Sequence, residues 1–244
     1  RIAYDLAKDK HSAYIVDSPC TDEFEPLARY SGLPEMPRQS RFHVLNHKAC
    51  GRAFCKEHGL DYNQTNLVVA HMGGGTSVAA HKHGRLIDGD NGLEGDGAYT
   101  AERPGSLAVV DVLRAAFSGK YGTTFQELRE FFTFHCGLAA YTGTNDGREV
   151  SRRIKEGDKE AELAYRGMAY QVAKEIGAAG AVLQGKVDAI LLTGGFAYDS
   201  MLMGWIKEYI SYLAPVYIYP GEDEMLSLAQ GAIRVLKGQE EVQV

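Results

Sequence analysis

The residues best suited to chemistry stand in glycine clusters. His71-Met72-Gly73-Gly74-Gly75-Thr76-Ser77 sets three consecutive glycines between two apolar runs, with hydroxyl residues behind them. Lacking a Cβ, glycine can turn backbone N–H groups toward a ligand, and a hairpin built that way cradles phosphate oxygens. A plain tight hairpin has the same requirement, so this cluster alone leaves both readings open. Leu192-Thr193-Gly194-Gly195-Phe196 repeats the situation, an apolar run ending in paired glycines. Nucleotides sit at the carboxyl ends of strands in open α/β sheets, although any tight strand-to-helix turn needs glycine too. The two clusters together make a stronger case for a phosphate-bearing ligand than either alone.

A third segment, residues 88–106, mixes carboxylates with glycine and holds one cation, Arg103, between Glu102 and Pro104. Its carboxylates lack the alternating spacing and terminal glutamate of an EF-hand loop, which argues against calcium. An arginine on a loop could clamp a transferring phosphoryl group; a salt bridge to Glu102 or Glu94 is the simpler use of it. His43 stands at the start of a helix with Asn46 and His47 close behind, while His71, His81, His83 and His135 fall at strand or loop positions. A histidine-rich surface would account for the latter four. No HExxH, GxSxG or GxxxxGK[ST] spacing occurs, which argues against a zinc site, an α/β-hydrolase and a P-loop enzyme.

Composition narrows the classes further. The chain has 244 residues, 45% of them hydrophobic and 24% charged, enough to bury a core in one large or two small domains. A net charge of −6 gives no global reason to bind nucleic acid or an anionic membrane. The partner expected is a small molecule or another protein. No apolar run reaches the 18 or more residues of a membrane span. The cysteines Cys20, Cys50, Cys55 and Cys136 lack CxxC spacing and the density of a secreted scaffold, which favours a reducing, cytoplasmic compartment.

The elements that must position these residues follow from periodicity. Residues 1–10 read as a helix tail, 13–16 as a short buried strand that delivers Asp17 into a loop, and 22–30 as a helix. An apolar stripe predicts a helix over 41–58. Short strands at 66–71, 76–81 and 85–88 form a meander. Helices are expected at 107–118, 124–134, 158–184, 200–210 and 224–236, strands at 187–193 and 216–219, and a loop at 137–146. The alternation is α/β.

Taken in order, Phe42-His43-x-x-Asn46, residues 66–78, Gly84-Arg85-x-Ile87-Asp88, Glu102-Arg103-Pro104-Gly105, Gly143-Thr144-Asn145-Asp146-x-Arg148 and Glu222-Asp223-Glu224-Met225 resemble the acetokinase family along essentially the whole chain. The resemblance implies a ribonuclease H-like ATPase fold of the acetate and sugar kinase/Hsp70/actin superfamily. It implies transfer of the γ-phosphoryl group of ATP to a short-chain carboxylate, with butyrate preferred and acetate, propionate or branched acids as neighbours. The products are an acyl phosphate and ADP, and Mg2+ accompanies the nucleotide. His43 and Arg103 then match residues that stabilise the transferring phosphoryl, Asp17 an active-site acid, and Glu224 a magnesium-linked glutamate. His71, Gly73, Gly74 and Gly75 match the phosphate hairpin; Asp146, Gly147 and Arg148 match the segment beside the adenosine; Gly194, Gly195 and Phe196 match the second nucleotide loop. Family members also carry a Ser- and Asn-rich first phosphate loop, and their acetate-specific relatives a further arginine, and neither has a counterpart here. The resemblance therefore implies the back part of a longer protein: residues 1–17 as the end of an N-terminal domain, 18–223 as the C-terminal nucleotide-binding domain, and 224–244 crossing back. A fragment of that kind is expected to be inactive alone. Relatives associate, and the acidic composition leaves room for a homo-oligomer. Two alternatives stay open, a nucleotide-binding module without catalysis and a sugar kinase of the same superfamily.

Overall fold

The computed structural model describes residues 2–8 and 11–242. In chain order the elements are α1 (Ile2–Ala7), α2 (Val44–Glu57), β1 (Asn66–Met72), β2 (Thr76–Lys82), β3 (Arg85–Gly89), α3 (Val109–Phe117) and α4 (Phe125–Phe134). Then follow α5 (Gly137–Thr142), α6 (Gly147–Lys155), α7 (Lys159–Val182), β4 (Ala189–Gly194), α8 (Ser200–Ile210), β5 (Val216–Pro220) and α9 (Glu224–Leu236). Short 3-10 turns stand at Pro26–Arg29, Tyr62–Gln64 and Gly195–Tyr198.

The strands form one mixed sheet in the order β3-β2-β1-β4-β5. The predicted meander supplies the antiparallel pairs β1/β2 and β2/β3, whereas β1/β4 and β4/β5 are parallel. Helices cover both faces, so β1, β2 and β4 are buried on both sides, the condition that makes them read as nearly continuous apolar runs. On one face Val68, Ala70, Met72, Ile190 and Leu192 meet Tyr165, Met168, Val172 and Ile176 of α7 and the apolar side of α8. On the other, Leu67, Val69, Ala189 and Leu191 meet Cys50, Phe54 and Cys55 of α2. Each large side chain taken fully out of water contributes about 1.5–3 kcal/mol, which anchors the sheet between α2 and α7. The alternation along β1 and β2 carries His71, Ser77 and His81 to the α2 side, where the polar side chains of that helix wait.

Three expectations are corrected. Residues 13–16 form no strand, and Ile15 is 90% exposed. They lie along α9, whose Gly231 is so close that a Cβ there would stand 2.3 Å from Cγ1 of Val16. Residues 22–30 hold only the short 3-10 turn, because Pro26 forces the preceding Glu25 into an extended conformation (φ −65°, ψ 153°). Residues 137–146 are not a loop. They contain α5, closed by Gly143 in the left-handed region (φ 77°), and the capping residue of α6, a helix absent from the periodicity reading. Among the described residues no helix is long and apolar enough to cross a membrane.

Candidate active site

β1 and β2 part at Met72 and Thr76, leaving Gly73, Gly74 and Gly75 as the turn, with Gly73 N–H donating to Gly75 O at 2.9 Å. The Arg103 loop is pinned onto this turn through one hydroxyl. Thr100 Oγ1 donates to Gly74 O at 2.8 Å and accepts from the N–H groups of Arg103 (3.0 Å) and Glu102 (3.2 Å). Arg103 Nη1 donates to Gly92 O at 3.0 Å. A Cβ on Gly75 would lie 1.8 Å from that same Nη1, so the third glycine makes room for the guanidinium. The salt-bridge reading of Arg103 does not hold. Glu94 pairs with Arg41 at 2.6 Å, Glu102 accepts from Asn145, and among the described residues Arg103 has no ion-pair partner. Its Nε is buried without a hydrogen bond. A cation held by one carbonyl beside a glycine turn is poised for an anion.

His43 precedes α2 and brings Nδ1 to 2.9 Å of Ser77 Oγ, while Nε2 has no hydrogen bond among the described residues. Its ring centroid stands 4.6 Å from that of His71. Burial, reinforced by the Arg103 cation and opposed by Glu224, pushes His43 down to about 4. Burial and His43 push His71 down to about 3. Both imidazoles are therefore neutral at pH 7, and the 3.2 Å contact of His71 Nε2 with Glu222 is not an ion pair. His71 Nδ1 is buried with no partner. Asn46 Nδ2 donates to Glu222 Oε2 (3.2 Å) and Glu224 Oε1 (3.4 Å), tying the start of α9 to α2. Burial and the neighbouring Glu224 raise Glu222. The structure thus brings His43, His71, Gly75, Arg103 and Glu224 together. Among the described residues no three His, Cys, Asp or Glu groups form a metal-holding cluster.

Beside this junction lies a cleft of about 750 Å3 whose wall includes Gly73, Gly74, Asp146, Gly147, Arg148, Gly195 and Phe196. Asp146 caps α6 by accepting from Arg148 N–H at 2.9 Å, and the Arg148 guanidinium pulls its carboxyl down to about 2. The Phe196 ring lies against Gly147, where a Cβ would stand 2.5 Å from Cε1. Gly194 sits behind the wall, at φ 90° with Met72 O only 2.4 Å from where its Cβ would be, and lets β4 pass the end of β1. Sequence reasoning missed Tyr165, Ser151 and Asp199, which also line the cleft. Asp199 caps α8, accepting from Met201 N–H at 2.9 Å, from Tyr165 Oη at 3.0 Å and from Ser151 Oγ. An aspartate opening a helix was a legible signal; Tyr165 was hidden in the apolar periodicity of α7.

Asp17 is not brought to this junction. Its side chain, 7% exposed, meets Arg52 at 2.9 Å, Lys48 at 3.7 Å and Arg234 at 3.9 Å, and no hydrogen bond or ion pair among the described residues joins it to His43 or Arg103. The histidine-rich surface is corrected as well: His83 and His135 are exposed, but His71 and His81 are interior.

A mixed sheet whose glycine hairpin opens onto a cleft defines a class. The structure is similar to acetate kinase from Porphyromonas gingivalis, with a TM-score of 0.79 and 22% identity over 90% of this chain and 63% of that one. A propionate kinase from Francisella tularensis gives 0.74 at 23% identity, over 85% and 60%. These likenesses establish the fold, in agreement with the expectation. Residues 35–208 match the Acetokinase family, and the chain belongs to that family. It is 53% identical over 230 residues to butyrate kinase 2 of Clostridium acetobutylicum, and 47% identical over 232 residues to a probable butyrate kinase of Clostridium botulinum. Those alignments take in 94% and 95% of this chain, which spans 64% and 65% of the length of these curated relatives.

Proposed function

We propose that the protein is a carboxylate kinase that moves a phosphoryl group reversibly between ATP and butyrate, giving butyryl phosphate and ADP. The observation that carries this reading is the junction itself. A guanidinium without an ion pair among the described residues and a neutral imidazole flank a glycine turn at the edge of a cleft whose volume suits a nucleotide. The relatives named as butyrate kinases support the acyl preference.

In this reading the nucleotide base lies against Phe196 and Gly147, and the phosphates run over Gly73 and Gly74. A carboxylate oxygen forms a bond to the γ-phosphorus as the β–γ bridging oxygen leaves with its electron pair on ADP. Charge spreads over the equatorial oxygens, so positioned cations and donors supply most of the catalysis. Arg103 provides the charge and His43 a neutral N–H donor. Glu224, with Glu222 beside it, offers hard oxygen donors that suit Mg2+, too few for an all-protein cage, so the ion would be shared with the phosphates and neutralise their charge. Asp17 acts at a distance in this reading, holding α2 to α9 through Arg52 and Arg234. The contact of Gly231 with Val16 supports grouping the described parts of 1–17 and 224–244 with each other, and Asp17 and Glu224 join that group to α2 of 18–223. The four free cysteines support a cytoplasmic location.

The test uses the complete gene product with ATP, carboxylate and hydroxylamine. Butyryl hydroxamate and stoichiometric ADP are expected, with acetate, propionate and branched acids slower, each methylene changing discrimination by about 1–3 kcal/mol. Nucleotide binding with no hydroxamate from any of these acids overturns the reading in favour of a binding module.

A further inference from the structure

Behind His43 the polar groups continue into the protein interior. His43 Nδ1 meets Ser77 Oγ at 2.9 Å, and the same oxygen meets His47 Nε2 at 2.9 Å. His47 Nδ1 faces His81 Nε2 at 3.4 Å, their rings stacked at 14° with centroids 5.7 Å apart. His81 Nδ1 ends the line at Tyr62 Oη, 3.1 Å away. His47, Ser77 and His81 are fully buried. Four separate elements contribute: the residue preceding α2, α2 itself, β2 and the 3-10 turn before β1.

Burial holds all three imidazoles neutral, His43 at about 4, His81 at about 3 and His47 well below its usual value. Each therefore has one N–H and one lone pair, and the line has a forward and a reverse sense; a third arrangement, in which His43 and His47 both donate to Ser77 Oγ, leaves the buried Ser77 hydrogen with no acceptor among the described residues. In the forward sense Tyr62 O–H donates to His81, His81 to His47, His47 to Ser77 and Ser77 to His43 Nδ1. That sense leaves His43 with its hydrogen on Nε2. In the reverse sense every hydrogen turns round and Nε2 presents a lone pair, which cannot donate to a phosphoryl oxygen.

We propose that Tyr62, His81, His47 and Ser77 are positioning residues that fix the Nε2–H tautomer of His43. Tyr62 sets the sense. Its hydroxyl has His81 as its one hydrogen-bond partner among the described residues, and a phenol gives its hydrogen more readily than it accepts one. The Arg52 guanidinium, 5.5 Å from the ring centroid, strengthens it as a donor. Burial first, and the Lys48 and Arg52 cations after it, keep His81 uncharged, so the ring must both give and take a hydrogen bond. At the other end Arg103 opposes a charge on His43 and Glu224 favours one, so neither fixes which nitrogen of the neutral ring holds the hydrogen, and the buried line does. Reversing it strands the phenol hydrogen, which disfavours the reverse sense by a factor of about 10 or more.

The proposal rests on the kinase reading only for the use made of the hydrogen; the tautomer itself is read without substrate. The experiment is ¹⁵N NMR of the histidine-labelled complete protein at pH 7. His43 and His47 are expected as Nε2–H tautomers. In Tyr62→Phe the Nδ1–H forms should rise from under about a tenth to roughly half, with kcat falling about twofold at unchanged KM. In Ser77→Ala only His43 should lose its preference, His47 and His81 keeping theirs. An Nδ1–H tautomer at His43 in the unmodified protein overturns the proposal, as does an unchanged spectrum in the two variants. A fixed tautomer without hydroxamate formation would instead sink the kinase reading and leave the positioning line standing.

Discussion

Acidification should unfold this protein in a pH range where most proteins are still stable, and the cause can be worked from four side chains. His43, His47, His71 and His81 are neutral and buried, with folded-state values of about 4 for His43 and about 3 for His71 and His81, and well below the ordinary 6.5 for His47. Because the folded values lie below the unfolded one, the unfolded chain takes up protons first. Stability is therefore full above 6.5 and declines as pH falls from 6.5 toward 4. Between pH 7 and pH 5 each such histidine removes about 2 kcal/mol, so the four together remove about 8 kcal/mol. Asp90, Glu175 and Glu222, raised by burial, oppose this by gaining protons in the folded state. The net result expected is a loss of stability from pH 7 to pH 5 that is smaller than that sum, set against the roughly 5–15 kcal/mol of a typical domain. Urea titrations at half-unit steps from pH 7.5 to 5 measure it. His81→Asn should reduce the slope between pH 6 and 5 by about one proton, or about 1.4 kcal/mol per pH unit. Stability that is flat or rises from pH 7 to 5 would refute the reasoning.

Three further outcomes are expected. Arg103→Ala should lower kcat at least about 100-fold with nucleotide affinity within a few-fold, since the lost group acts on developing charge; near-normal turnover in a hydroxamate assay contradicts the assignment. Gly75→Ala should act through Arg103 without touching it: the new Cβ would fall 1.8 Å from Nη1, the far end of a flexible side chain. Turnover should therefore drop while the urea midpoint barely moves, and the opposite pattern would show that the turn itself is strained. Gly194→Ala meets backbone, with Met72 O at 2.4 Å and φ at 90°, so a stability loss on the order of 3 kcal/mol is expected from the same titration.

What was legible in the sequence has a physical pattern. β1, β2 and β4 announced themselves because burial on both faces demands unbroken apolar runs, and the glycine turns because no Cβ fits beside Arg103 or Met72. Gly73, Gly74, Gly195 and Phe196 were reached from local motifs and Asp146 and Gly147 through the family resemblance, and all of them share one wall. α6 was missed because its two inward apolar residues, Val150 and Ile154, are outnumbered by charges, although Asp146 marked its start. The supposed helix over 22–30 failed at Pro26, a breaker in plain view. Asp17 was not placeable, since its partners come from α2 and α9, far along the chain. The line from Tyr62 to His43 was invisible for the same reason: its bonds join residues 19, 30 and 34 positions apart, and neutrality is a property of burial, which residue type does not reveal.

The acid sensitivity and the chemistry have one origin. An imidazolium at His43 would face the Arg103 cation across the glycine turn, and repulsion would loosen the group that must meet the transferring charge. A neutral imidazole avoids that conflict but has a choice of tautomers, only one of which can donate. Burying His47 and His81 behind it removes both difficulties, because burial disfavours the charged form and the line of hydrogen bonds selects the sense. The same burial leaves the folded state unable to accept protons that the unfolded chain takes freely below 6.5. A substitution that restores acid stability by emptying this cluster, such as His81→Asn, should therefore also loosen the tautomer of His43. Its stability slope and its NMR spectrum must change together if the cluster acts as one unit.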